Sequence, residues 1–415
     1  SGINFVHQKV IDVDPEACNV ILEDGSEIRY DVLSIDIGST SSGFDGVKGS
    51  EFAVPTRPIA GLVKKMDTYA AVSQAEIQDV AIVGGGVAGI ELAMSINSRL
   101  PRSRITILDS KTDILPHESK ECREALKGQL NSRNIRILSN SVVKSISDSF
   151  VKLQNGDLVR MDRCIWATGA GSHILARRLN ERGISCTPKA HWIRVSTTLQ
   201  TISHENIFAA GDCCTIEGLP SGKQSPPKAG VYAVRAGPVL IENLTLLLER
   251  YSRRLGCSNS IRDTSITMPL DENFSSSMTE YYPQDDFLKL IVCGDGTALG
   301  FRFGRAFYGK WVWHLKDYID RNFMQLFAEE NLPDCSCEDH PICKPKSSYD
   351  NSQYDAKLLM YDPIEPEEAS ELLSRTDDSV DPSLAWSLLR NMTLDEEYRT
   401  KVLHGMSSLQ MTRST

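Results

Sequence analysis

The sequence predicts an α/β chain built on parallel sheets, and three observations predict it. Asp79-Val80-Ala81-Ile82-Val83 is a short apolar run of the kind that forms a strand buried on both faces. Gly84-Gly85-Gly86 and Gly89 follow at once, and Val87 to Ala93 continues in helix-forming residues, so strand, tight turn and helix share one stretch. Residues 105–108, 164–167 and 207–210 are further short apolar runs, each ending within two residues of an acid or a glycine. Buried strands alternating with helical segments make a parallel sheet with helices on its faces.

The elements follow in order. Ile11 to Val13, Val20 to Leu22 and Glu27 to Ile35 alternate as strands, with Glu23-Asp24-Gly25-Ser26 as a hairpin turn. Pro55-Thr56-Arg57-Pro58 leads into a helix near 59–74, and the glycine unit then spans roughly 77–170. Inside it, Val151 to Asp157 is a second hairpin and Cys164 to Gly169 the closing strand. Residues 20–39 and 151–169 share one plan (strand, turn, strand, polar step, apolar strand ending in Gly), which reads as an internal duplication. Pro226-Pro227-Lys228 starts a helix, residues 287–310 read as strands, and Trp311 to Phe327 has helical periodicity. The stretch 331–365 reads as linker, and a last amphipathic helix is expected at 383–403 with Leu384, Leu388, Tyr398 and Val402 on its apolar face.

Composition narrows the function. With 415 residues, 41% hydrophobic and 24% charged, the chain is an ordinary globular protein of one to three domains. A net charge of −10 argues against a nucleic-acid surface. No apolar run in the sequence approaches bilayer-spanning length. Eleven cysteines without a CxxC fit reduced thiols and a cytoplasmic setting, and exclude a redox disulfide of that spacing. Cys213-Cys214 would make only a strained vicinal bridge.

The glycines at 84, 86 and 89 have the spacing of a dinucleotide-binding fingerprint. Gly84 permits the turn, Gly86 lets backbone approach a pyrophosphate, and Gly89 lets helix pack on strand. Phosphates would sit on the free N–H groups at the helix start. Asp109 closes the next strand at the place where an acid grips a ribose 2′-hydroxyl, which favours NAD over NADP; Arg104 and Lys111 act against that preference.

The fingerprint at 84–89, Ala167-Thr168-Gly169 and Ala209-Ala210-Gly211-Asp212 together resemble the pyridine nucleotide-disulfide oxidoreductase superfamily, over roughly residues 1–330. Without a cysteine pair, the resemblance is to its type II NADH dehydrogenase-like branch. Pro227 to Arg235, with Leu299-Gly300-Phe301-Arg302-Phe303-Gly304 and Lys310 to Arg321, resembles the module fused to selenide, water dikinase in some organisms. The resemblance implies two Rossmann-like dinucleotide-binding domains, an NAD domain inserted in an FAD domain, with a small α+β C-terminal region. The boundaries are 1–75 for a partial FAD domain, 76–185 for the NAD(P) domain, 186–255 for the FAD return, 256–330 for a C-terminal region and 331–415 for a linker and acidic tail. Family members open with a fingerprint that this sequence lacks, so a fragment or mispredicted start is expected, holding FAD poorly or not at all.

The resemblance also implies roles. Gly38, Gly169, Gly211, Asp212, Pro227 and Ala229 bind cofactor, with Asp212 accepting hydrogen bonds from the ribityl or pyrophosphate region of FAD. The helix starting near Pro227-Lys228 aims N–H groups at the flavin, where negative charge builds. Lys228 either adds a positive charge there or is a solvated first-turn lysine. Glu91 either approaches the nicotinamide–flavin contact or is an ordinary helix-face carboxylate. Residues 311–327 are a peripheral membrane contact for a lipid-soluble acceptor, or a helix packed on its own domain or on a homodimer partner. Cys335, Cys337, His340 and Cys343 have spacing too short for structural zinc, and no metal is expected. The leading function is transfer from NADH through FAD to a quinone or other small acceptor. The alternative is a non-catalytic nucleotide- or partner-binding module associated with selenophosphate synthesis.

Overall fold

The computed structural model describes residues 4–72, 78–256, 277–325, 327–328 and 364–413. The chain forms two compact units. The first holds the described residues of 4–42 and 170–285; the second holds those of 43–169, 286–328 and 364–413.

In the second unit, five parallel strands lie in the order Ala53–Pro55, Arg163–Trp166, Asp79–Val83, Arg104–Leu108 and Arg136–Leu138. Asp79–Val83 is central, and Val80, Ala81, Ile82 and Val83 are all buried, as a strand covered on both faces requires. Helices Val87–Arg99 and Lys120–Ser132 pack Ile90, Met94, Leu126 and Leu130 into one core with Ile82 and Ile107. Ser119 caps the second of these helices, accepting from Cys122 N at 3.1 Å. Gly86 at the head of the first offers no side-chain cap, which leaves its first-turn N–H groups for a ligand.

The first unit carries the parallel pairs Leu33–Ile35 with Ile207–Ala209 and Ile193–Val195 with Cys214–Ile216. The helix Gly230–Gly256 contributes Ala236, Val239 and Leu247 to the unit's core. Over Gly230–Ser252 this helix is long and apolar enough to cross a membrane, which corrects the expectation that no such run exists. Its inward face nevertheless belongs to a protein core: Asn243 is fully buried and donates to the Thr198 and Thr279 carbonyls at 2.9 and 2.8 Å.

The duplicated plan appears in three dimensions. Each unit has an antiparallel meander, Val10–Asp14, Asn19–Leu22 and Glu27–Arg29 in the first, Val143–Ile146, Phe150–Leu153 and Leu158–Arg160 in the second. Both shift register in the first strand pair, between Val10 and Asp12 and between Val143 and Ser145. Each meander then feeds a strand of a parallel sheet ending at a glycine of positive φ, Gly38 at 63° and Gly169 at 92°.

The units divide at 42/43 and 169/170 instead of 75/76 and 185/186. Strand pairing is the reason: Ala53–Pro55 joins the sheet of the glycine unit beside Arg163–Trp166. The residues after 285 also differ from expectation. Strands Lys289–Val292, Ala298–Arg302 and Arg305–Gly309 belong to the glycine unit. Ser98 Oγ donates to the Gly294 carbonyl at 2.6 Å, and Ser119 Oγ to the Gly304 carbonyl at 2.6 Å.

Helix Lys310–Gln325 buries Trp311, Val312 and Leu315 against Phe307, Leu388 and Met392. The first turns of its bulky stripe are thus covered by its own unit, Tyr318 and Phe323 stay partly exposed, and the exposed large apolar residues at its end are Met324 and Phe327. The expected helix at 383–403 is two, Pro382–Leu394 and Glu396–Arg413, because Asp395 leaves the helical conformation and its side chain accepts from Tyr398 N at 2.9 Å. Leu388 and Val402 are buried and Leu384 and Tyr398 partly so, in the same core. Cys335, Cys337, His340 and Cys343 lie outside the described residues.

Candidate functional site

Each unit presents candidate site residues at the C-terminal ends of its parallel strands, the place where α/β sheets bind ligands. In the second unit, Gly84 turns at φ 116° directly after the central strand, and a Cβ there would lie 2.7 Å from the Ala167 carbonyl carbon. A Cβ on Gly89 would collide with the Gly84 carbonyl oxygen, so this glycine is what lets the helix return over the loop. Gly86 faces open space within 4 Å, as a pyrophosphate approach needs. The strand-end Ala167 closes the loop from the other side, and Gly169 follows it.

Asp109 completes this site. It is 5% exposed, and its Oδ1 accepts from Lys111 N at 3.2 Å. Its Oδ2 is buried with no hydrogen-bond partner. A buried carboxylate oxygen without a donor is costly unless a ligand supplies one. The residues therefore fit NAD, with the ribose hydroxyl as the missing donor. Arg104 does not act against NAD: its guanidinium makes two 2.7 Å bonds to Asp79 at the opposite end of the strand.

In the first unit, the pairing of Ile35 with Ala209 brings two loops together. Ser39 Oγ donates to Asp212 Oδ2 at 2.8 Å, and Gly38 lies beside it in the chain. Gly211, at φ 73°, has Asp36 over it: a Cβ there would meet Asp36 Oδ1 at 2.8 Å. Partial burial and the neighbouring Asp212 carboxylate push the Asp36 carboxyl above its usual range. Asp212, Pro227, Lys228 and Ala229 line one cavity with Tyr232 and Tyr281.

These residues fit the ribityl end of FAD, which needs acceptors at a strand end and an uncrowded helix start. Among the described residues, this unit holds no strand–glycine–helix of its own for the pyrophosphate. The helix begins at Gly230, later than the expected start near Pro227-Lys228, so Pro227, Lys228 and Ala229 form the approach to it.

Lys228 is not a solvated first-turn lysine. Its ammonium donates to the Cys214 carbonyl and lies 4.6 Å from the centre of the Trp192 ring, and burial lowers its pKa. Glu91 is a partly buried carboxylate on the fingerprint helix. It accepts from Val292 N at 3.1 Å, tying the fingerprint helix to the C-terminal sheet, and burial raises its pKa. The seven described cysteines, Cys213 and Cys214 included, are free thiols.

Sequence reasoning missed Gly85, Asp36, Ser39 and Trp192. Asp36 had a signal: counting back from the terminal glycine of each duplicated copy, it stands where the second copy has Ala167.

A family model described as pyridine nucleotide-disulphide oxidoreductase matches residues 1–237. The chain belongs to this family. Among curated relatives, it is 27% identical over 258 residues to ferroptosis suppressor protein 1 of Taeniopygia guttata, covering 59% of this chain and 63% of that protein. It is 28% identical over 274 residues to a probable NADH dehydrogenase of Dictyostelium discoideum, covering 56% of each. The chain thus spans less than two thirds of the length of these relatives. Among solved structures, NDH2 from Plasmodium falciparum in complex with NADH superposes with a TM-score of 0.57 at 15% identity, covering 79% of this chain and 81% of that one. This likeness supports the α/β dinucleotide-binding fold of the family member described above.

Proposed function

We propose that this chain is a flavin-dependent oxidoreductase that takes hydride from NADH and passes the electrons to a quinone or another small acceptor, without a redox-active disulfide. The observation that carries this reading is the buried, unpartnered Asp109 Oδ2 beside an uncapped glycine loop in a member of this family. The name of one relative, probable NADH dehydrogenase, favours an enzyme over a binding module.

When bound, the flavin would supply the two-electron carrier between nicotinamide and acceptor. The protein's part is placement and charge. Asp109 receives the adenosine ribose, Gly86 leaves room for phosphate, and the first-turn N–H groups of Val87–Arg99 balance its charge. Ser39 holds Asp212 as an acceptor for the ribityl hydroxyls. The start of the helix at Gly230 places the positive end of its dipole by the cavity of Asp212 and Lys228.

A second groove shares Pro226, Pro227 and Tyr232 with that cavity and adds Tyr282 and Gln284. The Gln284 Nε2 is buried without a partner, and a carbonyl oxygen on a flat ring would supply one. This supports a planar acceptor of the quinone class. The likeness to the module fused to selenide, water dikinase rests on two sequence stretches, and no residue of these sites calls for selenium.

The test is the visible spectrum of the purified protein supplied with FAD, before and after anaerobic NADH. Flavin bands that bleach with NADH and return with a short-chain quinone are expected. A protein that binds no flavin even in excess FAD, or whose flavin NADH does not reduce, overturns the reading.

A further inference from the structure

Gly85 is the glycine of the loop that backbone geometry does not explain. Gly84 turns at φ 116°, whereas Gly85 lies outside the left-handed region and has no conformational need to be glycine. Its missing side chain is nevertheless filled. For a Cβ built on Gly85 the three nearest atoms all belong to Asp109, Cγ at 2.7 Å and Cβ at 2.8 Å, with Oδ2 closer still. The carboxylate occupies the volume that any other residue at 85 would claim. That same Oδ2 is the buried oxygen with no hydrogen-bond partner. Asp109 is held there from behind by its own backbone, N–H to the Leu138 carbonyl at 2.9 Å and carbonyl to Ser141 N at 2.7 Å.

We infer that Gly85 selects the nicotinamide nucleotide: its empty Cβ position lets the Asp109 carboxylate lie against the glycine loop, where it accepts the ribose 2′-hydroxyl of NADH and repels the 2′-phosphate of NADPH. This rests on the oxidoreductase reading above and adds the residue that sets its cofactor. With Arg104 committed to Asp79, the cation nearest in sequence is the exposed Lys111, whose backbone N–H already serves the other carboxylate oxygen. A methyl group at 85 cannot coexist with Asp109 in place, so the acid must turn away from the ribose and the backbone at 85 and 109 must part slightly to relieve the 2.8 Å contact with its Cβ. The discrimination is then lost without any change in charge.

The test is direct binding to the full chain, NADH and NADPH being titrated by nicotinamide fluorescence. The proteins are wild type, Gly85→Ala, Asp109→Ser and the double variant. Wild type is expected to prefer NADH by on the order of tenfold or more. Gly85→Ala should bring the two nucleotides close to parity, chiefly by weakening NADH. The double variant should show the same NADH-to-NADPH ratio as Asp109→Ser alone, because both changes remove one interaction. Equal loss of both nucleotides with the preference intact, or effects that add, would overturn the inference and leave Gly85 a residue of the loop itself.

If Gly85→Ala alone does not fold, Gly85→Ala/Asp109→Gly has room for the methyl and should recover. Failure of that pair too would sink the inference. A wild-type chain that binds neither nucleotide removes this inference and the oxidoreductase reading together. One that binds NADH yet shows no flavin bleaching removes only the latter.

Discussion

The glycine loop at 84–89 and the turn at 211–212 occupy equivalent places, each at the C-terminal end of a parallel strand, yet they are built from different material. Around Gly84 and Gly89 the limiting neighbours are backbone atoms, the Ala167 carbonyl and the Gly84 carbonyl. Around Gly211 the limiting neighbour is a side-chain oxygen of Asp36, and Asp212 is held by Ser39, 173 positions away in sequence. A site made of backbone is local and intolerant. A site made of side chains is assembled by the fold and can lose a member without unfolding.

The largest expected effect tests the intolerant half. Gly89→Ala places a methyl group on the Gly84 carbonyl, where nothing flexible can yield. It should cost about 4 kcal/mol, read from urea unfolding. Gly211→Ala is the matched change in the other unit. There the methyl meets a movable carboxylate and the strain comes from φ 73°, so about 1–2 kcal/mol is expected. Equal losses would erase the distinction between the two sites.

Removal of function without removal of fold sharpens the comparison from the other side. Asp212→Ala takes away an acceptor and leaves the Ser39 hydroxyl without it. The melting temperature should change little, while FAD affinity falls by on the order of 30-fold, about 2 kcal/mol for a charged acceptor. An equilibrium titration of FAD followed by flavin fluorescence is the measurement. An unaltered FAD affinity would remove Asp212 from the site.

This contrast also explains what could be read before any coordinates. Gly84, Gly86, Gly89 and Asp109 were legible because a turn, a phosphate approach and a strand end follow from spacing over one short stretch. The duplicated meanders were legible for the same reason, since turn residues and alternation are local. Asp36 and Ser39 were not, because only the parallel pairing of Leu33–Ile35 with Ile207–Ala209 places them beside Asp212. For 311–327 the sequence left a membrane contact and a helix packed on its own domain both open, because periodicity reports an apolar face without saying what covers it. The residues of 366–394 that cover Trp311 and Leu315 lie far along the chain. The units divided elsewhere than expected because Ala53–Pro55 and Lys289–Gly309 choose their partners in space.

Glu91 gives the smallest effect and the most direct choice between two roles. Its carboxylate sits one helical turn past the glycine loop, yet it is used on Val292 N. Burial pushes its pKa up, the Val292 N–H and Lys316 pull it back, and Asp320 adds to the rise. A carboxyl raised in the folded state binds its proton more tightly there than in the unfolded chain. Its contribution to stability is therefore full below the unfolded carboxylate range and is lost as pH climbs through the folded value. Glu91→Gln keeps an oxygen for Val292 N and cannot titrate. The variant should match wild type near pH 4 and gain up to about 1 kcal/mol by pH 7, with NADH binding unchanged. A gap that does not move with pH, together with weaker NADH binding or slower flavin reduction, would return Glu91 to the nicotinamide. The predicted pattern instead makes it the residue through which the fingerprint helix grips the C-terminal sheet.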